Sequence, residues 1–350
     1  MKISLWSDTQ EEEQGILELT KKTFGDVEIT DPLYFDWQYR KNPEGKANVI
    51  LAIDEKKDNT IIGTNAIIRT RLFIDGKETF SFFACNAQVD PGYRKKGIFF
   101  KILKSTSDFA TNDKISSIFA FPNQNSFGSY IKEGAIEIVN LPLLIRPIKL
   151  SKYFHSPFRS VLRPLDIFWK KNKVQYNVEE LNDDFDDSFE TLAKKASNRI
   201  SVLNNRKKEF LKWRYHDHPT REYKIFVIKN NENLVGYIIT KIHFIKKKKI
   251  GVIVDYLVDA EFDDQNLLKN LIDQAIFYFW KNDVSIAIVT SNSKLLENKL
   301  LKKSGFFTIP SFLKPEPIHF MIRITNDDKK HVKLTEFDNW LFSFGDYDVF

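Results

Sequence analysis

The residues best placed to do chemistry are Arg94, Lys95, Lys96 and Gly97, within the run Ala87-Gln88-Val89-Asp90-Pro91-Gly92-Tyr93-Arg94-Lys95-Lys96-Gly97-Ile98. Three cations precede a glycine, and Ile98-Phe99-Phe100-Lys101-Ile102-Leu103 then continues with helical spacing. A helix opening near Gly97 directs its unpaired first N–H groups, and the positive end of its dipole, at the turn that carries those cations. Gly97 removes a side chain where a ligand would meet the backbone. The pattern predicts an anion site, and a pyrophosphate is the ligand it suits. Taken alone, the segment also reads as a solvated basic loop before an ordinary helix.

The elements around it narrow the reading. An alternating strand ends at Val89; a second strand is predicted over Ser116–Phe121, followed by Pro122-Asn123-Gln124-Asn125-Ser126 and a helical stretch from Phe127 to Gly134. Val89, Pro91, Arg94, Gly97, Asn123, Ser126, Tyr130 and Gly134 fall on the patterns V-x-P-x-x-R/Q-x-x-G-x-G/A, N-x-x-A/S and Y-x-x-x-G. By these residues the segment 80–140 resembles the acyl-CoA core of the GNAT N-acyltransferase superfamily. The resemblance implies an α/β fold with a mixed sheet, and acyl-CoA as co-substrate held by Val89, Arg94, Lys95, Lys96, Gly97, Ile98, Asn123 and Ser126. It also implies an oxyanion met by strand N–H groups around Val89, and Tyr130 as the donor that protonates the departing CoA thiolate. One position departs from the pattern. Phe99 stands where a small residue is usual, which implies a shifted pyrophosphate pose or a looser first helical turn.

Acyl transfer to an amine also needs an acceptor for the amine's proton. Asp90 is the nearest carboxylate in the motif, and an aspartate before proline at a strand end is equally a turn former; both readings stand. Cys85 has no fixed histidine or asparagine partner in the sequence and reads as a buried structural thiol. The six histidines show no metal-ligand spacing, so no metal is expected.

The chain repeats itself. Phe35-Asp36-Trp37-Gln38-Tyr39-Arg40 recurs as Leu211-Lys212-Trp213-Arg214-Tyr215-His216, Val89-Asp90 as Val258-Asp259, and Lys132-Glu133-Gly134 as Lys303-Ser304-Gly305, at a near-constant offset of about 170 positions. Two GNAT-like domains in tandem follow, the first over 1–150 and the second over 176–325, joined by a proline-broken connector over 151–175. The second copy reads as degenerate, because Asp263 and Asp264 occupy the place of the cations and would repel a phosphate. It is expected to bind no CoA and to wall the acceptor pocket. Residues 326–350 form a tail, and Trp340-Leu341-Phe342-Ser343-Phe344-Gly345-Asp346-Tyr347-Asp348 is similar to a closing W-x-x-S/T-x-G-D-x-D of tandem GNAT proteins from aminosugar pathways. That similarity makes Asp346 and Asp348 candidates for the acceptor site.

Composition bounds the rest. The 350 residues carry 53 basic against 47 acidic side chains, a net charge of +6 that suits anionic ligands and is too mild to argue for nucleic acid. A lone cysteine and the lack of a long apolar run point to a cytoplasmic protein without stable membrane association. The acceptor implied by the tandem resemblance is a dTDP- or UDP-linked amino-deoxysugar. An aminoglycoside or peptide-amine acetyltransferase, or a non-catalytic acyl-CoA sensor, are the other readings.

Overall fold

The structure, a computed structural model, describes residues 1–149, 151, 176–245, 248–259, 261–262, 264–309, 316–325 and 329–347. The connector expected over 151–175 lies almost wholly outside the described residues, as do Asp263 and Asp348. Strands β1 (Lys2–Leu5), β2 (Asn48–Asp54), β3 (Thr60–Ile74), β4 (Lys77–Val89), β5 (Ser117–Ala120), β6 (Ile136–Asn140) and β7 (Leu143–Pro147) come from the first part of the chain. Strands β8 (Glu179–Glu180), β9 (Val202–Asn204), β10 (Lys224–Asn230), β11 (Asn233–Ile245), β12 (Lys248–Val258), β13 (Ile286–Thr290), β14 (Phe307–Thr308), β15 (His319–Ile324) and β16 (Trp340–Leu341) follow.

Two compact units result, and neither is a continuous piece of sequence. Unit 1 holds Met1–Leu141, Asp217–Arg221 and Pro317–Phe337; unit 2 holds Pro142–His216, Glu222–Glu316 and Asp338–Phe350. Each is mixed α/β. The sheet of unit 1 runs β1-β2-β3-β4-β5-β15-β6, so a strand from late in the chain lies between β5 and β6 and is antiparallel to both. In unit 2 the order is β14-β7-β13-β12-β11-β10-β8, with β7 placed antiparallel between β13 and β14. The two units thus each contain one strand from the sequence territory of the other.

In unit 1 the helices are α1 (Gln10–Phe24), α2 (Pro32–Arg40), α3 (Ile98–Asn112) and α4 (Gln124–Glu133). Local chemistry sets their ends. Thr9 caps α1 by accepting from Glu12 N at 3.3 Å, and the acidic Glu11, Glu12 and Glu13 complement the dipole of its first turn. Gly134 ends α4 in the left-handed region at φ 99°, where the Gly134 and Ala135 N–H groups bond the carbonyls of Ile131 and Tyr130. The longest hairpin joins β3 to β4 through Asp75 and Gly76, both at positive φ, the turn that suits the right-handed twist of the strands. Leu103 and Ala110 on the apolar face of α3 close over Ile67, Phe82 and Ile118 of the sheet, and Ile102 packs with Ile50, Ile62 and Val89.

Candidate active site

The basic turn forms at the end of β4. Asp90 N donates to Ile62 O at 2.9 Å, and Asp90 Oδ1 accepts from Gly92 N at 2.8 Å, which folds Pro91–Tyr93 into a single tight turn. Lys95 (φ 62°) and Gly97 (φ 72°) then reverse the chain, and Gly97 becomes the N-cap of α3 with no side chain to satisfy its first N–H groups. Lys101 N is bonded to Gly97 O at 3.2 Å, so helical bonding begins there and the N–H groups of Ile98, Phe99 and Phe100 point out of the helix end. Arg94, Lys95 and Lys96 are exposed and make no ion pair with any described residue. Arg94 Nε donates to Val89 O at 3.3 Å, and Lys96 Nζ donates to Gly92 O at 3.3 Å. Three unneutralised cations around free N–H donors make a cradle for an anion. Phe99 does not loosen the first turn of α3; its ring packs edge-on to Tyr130 with centroids 5.8 Å apart.

Beside the cradle the sheet opens. β4 and β5 pair in parallel only over Phe82–Ala84 and Ile118–Ala120, after which β5 ends and β4 continues to Val89. A register shift at Thr64/Ala66 places Asn86 in a bulge at φ 51°. The Asn86 amide holds that conformation by donating to Gln38 Oε1 at 2.8 Å and Tyr39 Oη at 3.1 Å. Because Asp90 N–H is directed at β3, the two-residue alternation of a strand turns the Val89 N–H to the other edge, where β5 has left. The expected oxyanion donor therefore borders the gap, next to the Val89 carbonyl that Arg94 meets.

α4 packs against α3 and β6, and its Tyr130 joins the core cluster that holds Ala84 of β4 and Ala120 of β5. Asn123 caps α4, accepting from Asn125 N at 3.0 Å and Ser126 N at 3.2 Å, while Ser126 Oγ donates to Asn123 O at 3.2 Å. These two side chains fix where α4 starts, and Tyr130 follows one to two turns on. Tyr130 is buried at 7% exposure, and no described residue hydrogen-bonds its hydroxyl. Burial raises the phenol well above its ordinary value, and the nearby Cys85 and Glu133 add to the shift, so Tyr130 stays protonated.

Residues 7–134 fit a family model described as an acetyltransferase (GNAT) domain, and residues 178–306 fit a second described as the acetyltransferase (GNAT) family. The chain belongs to the GNAT superfamily. It is a CoA-dependent N-acyltransferase built from two GNAT units in tandem. In fold it is similar to a GCN5-related N-acetyltransferase from Anabaena variabilis, with a TM-score of 0.67 and 13% identity over 93% of this chain and 73% of that one. A probable N-acyltransferase from Enterococcus faecalis follows at TM-score 0.63 and 14% identity, covering 93% of this chain and 73% of that one. The N-myristoyltransferase of Saccharomyces cerevisiae, solved with bound myristoyl-CoA, aligns at TM-score 0.62 and 13% identity over 94% of this chain and 84% of its own. No curated protein sequence matches.

The tandem GNAT architecture supplies an internal control for Asp90. In unit 1 the Asp90 carboxylate pairs with Lys22 of α1 at 2.7 Å. In unit 2 Asp259 pairs with Lys195 at 2.7 Å, its Oδ1 accepts from Glu261 N at 3.0 Å, and its N–H donates to Val235 O at 2.8 Å. The same clasp thus ties a helix to a strand end in both GNAT units, including the one whose sequence lacks the cationic turn. Burial pushes the Asp90 carboxyl upward, but Lys22 and the Gly92 N–H outweigh it and hold the group below the usual carboxylate range. The structure favours a turn-forming clasp over a proton acceptor for Asp90.

Asp346 also takes a different place from the one its motif suggests. It is 6% exposed; its Oδ2 accepts from Ser343 N at 2.9 Å, and its Oδ1 lies 2.8 Å from the fully buried Arg206. Arg206 Nε also lies 2.8 Å from Asp255 Oδ2, and Arg206 Nη2 donates to Asp255 Oδ1 and to Ser343 Oγ, both at 3.1 Å. Arg214 binds the carbonyls of Gly345 and Tyr347 at 3.3 and 2.7 Å, and a Cβ on Gly345 would meet Tyr215 Oη at 2.0 Å. Asp346 therefore seals the tail into the second GNAT unit and does not present a free carboxylate.

Sequence reasoning missed Asn65, Asn86 and Gln88. All three belong to the β3–β4 bulge, and nothing local in the sequence marks a bulge between two long polar-and-apolar strands. Among the described residues no helix is long and apolar enough to cross a membrane.

Proposed function

We propose that unit 1 binds the pyrophosphate of acyl-CoA on the Arg94–Ile98 turn and transfers the acyl group to the amine of a nucleotide-linked amino-deoxysugar. The observation that carries the CoA site is the set of unpaired cations and free N–H groups at the start of α3, directly beside the gap between β4 and β5. The thioester carbonyl lies in that gap, where the Val89 N–H stabilises the oxyanion; such a donor is worth about 3 kcal/mol. The amine attacks the carbonyl carbon, the C–S bond breaks, and Tyr130 gives its proton to the sulfur. The amine's own proton passes to water, since Asp90 is held by Lys22.

The sugar-nucleotide acceptor rests on two supports. One is the excess of basic over acidic residues, which suits a diphosphate-bearing substrate. The other is the likeness of the Trp340–Asp348 segment to tandem proteins of aminosugar pathways. The test is a panel of dTDP- and UDP-linked amino sugars against aminoglycosides and peptide amines, each with acetyl-, hydroxybutyryl- and longer acyl-CoA, read as thiol release. Amine-dependent release with a nucleotide sugar is the expected result. Turnover of aminoglycosides or peptide amines alone overturns the acceptor.

A further inference from the structure

At the foot of the gap between β4 and β5 lies a small cavity of about 10 Å³, lined in part by Asn65, Ala84, Thr106, Ala120, Tyr130 and Glu133. Ala84 and Ala120 are the last paired residues of the two strands, so the cavity sits where they begin to separate. Asn65 is completely buried there. Its Nδ2 donates to Thr106 Oγ1 at 3.0 Å, and the Thr106 hydroxyl donates in turn to Ile102 O at 2.9 Å. With its only hydrogen committed to Ile102, Thr106 can only accept from Asn65, which fixes the orientation of the amide. Asn65 Oδ1 is left buried and without a hydrogen-bond partner. Native cores seldom tolerate an orphaned acceptor, and a space of this size accommodates one water molecule where, as here, polar groups such as Asn65 and Tyr130 stand in an otherwise largely apolar wall.

We propose that this cavity is a water site that orients Tyr130: the water donates one hydrogen to Asn65 Oδ1 and the other to Tyr130 Oη, making Asn65 a positioning residue for proton delivery to CoA. The inference rests on Tyr130 being the proton donor. The direction of the hydrogen bonds follows from Asn65, whose Oδ1 has no hydrogen to give. The water must donate to it, its second hydrogen is then available to Tyr130, and the Tyr130 hydrogen remains available to the sulfur. The arrangement meets a chemical need. Burial disfavours the tyrosinate that proton transfer leaves behind, and a departing thiolate, whose conjugate thiol ordinarily has a pKa of about 8.5, takes a phenol's proton reluctantly. A donor aimed at Tyr130 Oη stabilises the tyrosinate as the C–S electron pair goes to sulfur and the Tyr130 proton follows it. Solvent returns a proton to Tyr130 before the next cycle.

The test is a double-mutant cycle on the full chain with acetyl-CoA and hydroxylamine, a small nucleophile that needs no acceptor pocket, read as thiol release above background. Asn65→Leu should lower kcat by roughly ten- to a hundredfold, the range for a hydrogen bond to a charged group, with the KM for acetyl-CoA unchanged. In a Tyr130→Phe background the same change should have almost no further effect. Equal losses in the two backgrounds overturn the proposal, since a purely structural asparagine would act regardless of Tyr130. If Tyr130→Phe by itself retains the parent kcat, the donor assignment fails and the role of Asn65 fails with it, an outcome distinct from equal losses. Should Asn65→Leu not fold, Thr106→Val takes its place in the cycle, because it frees the Asn65 amide without removing it. A crystal structure with CoA adds a readout independent of turnover: a water within about 3.2 Å of both Asn65 Oδ1 and Tyr130 Oη is expected, and a dry cavity overturns the inference.

Discussion

Replacing Asp90 separates two roles that its position allows, and Asp259 provides the reference. Asp90→Asn keeps an oxygen that can accept from Gly92 N but removes all basicity, so a catalytic base would show itself in kcat. Removing a general base costs about 10²–10⁴-fold, whereas the clasp reading expects a change of about threefold or less. Stability should respond to Asp90→Ala. The lost turn cap is worth about 1 kcal/mol. The pair with Lys22, whose side chain is 58% exposed, is discounted for solvent, and such surface pairs contribute up to about 1 kcal/mol. The sum, about 1–2 kcal/mol, corresponds to a melting shift of roughly 2–8 °C for a unit of this size. Asp259→Ala should shift the melting of unit 2 by a similar amount, because Lys195 and Glu261 N repeat the contacts. Differential scanning calorimetry reads the stability, and thiol release from acetyl-CoA with hydroxylamine reads the chemistry. A hundredfold fall in kcat for Asp90→Asn, with Asp259→Asn silent, would refute the reasoning and return Asp90 to catalysis.

Other outcomes follow from the same contacts. Arg94→Glu reverses one charge at the anion cradle; at a solvent-like dielectric and about 4 Å each charge is worth about 1 kcal/mol, so CoA affinity should fall roughly thirtyfold by calorimetry. A stoichiometry of one CoA per chain is expected in the parent, and two would contradict the asymmetry between the units. Tyr130→Phe should lower kcat by about a hundredfold at unchanged KM for acyl-CoA; an unaltered kcat would leave Tyr130 a packing residue. Asp346→Ala leaves Arg206 buried with one carboxylate fewer and should destabilise unit 2 by about 3–5 kcal/mol in denaturant titrations, with CoA binding by unit 1 intact. Asp8, bonded by Lys46 and Arg40, and Asp90, held by Lys22 against the upward push of burial, both lie below the usual carboxylate range. The unfolded chain takes up their protons first, so the stability they add is complete above about pH 4 and is lost as pH falls through their lower folded values. Acid titration of melting temperature should show that loss shrinking in Asp8→Asn.

Much of unit 1 can be read from the sequence because its decisive features are local. The cations before Gly97, the helix spacing after it, the Asn123 cap and the Gly134 end each lie within one turn of the residues they act on, and short-range sterics and hydrogen bonding determine them. The repeat is local in the same sense, since each copy rewrites the same short patterns, and it correctly announces two GNAT units. What the chain alone does not announce is every feature made by residues far apart in sequence. The placement of β15 between β5 and β6, and of β7 between β13 and β14, depends on which sheet edges are open when the whole chain folds. Asp346 looks like a free carboxylate until Arg206, more than a hundred residues earlier, closes on it inside the core. Asp90 looks like a base until Lys22 is found against it, and Asn65 looks like an unremarkable strand residue until Thr106 takes its amide hydrogen and leaves its oxygen facing a cavity. Residue type and spacing state which groups are available for chemistry; burial and long-range partners decide which of them remain free to perform it.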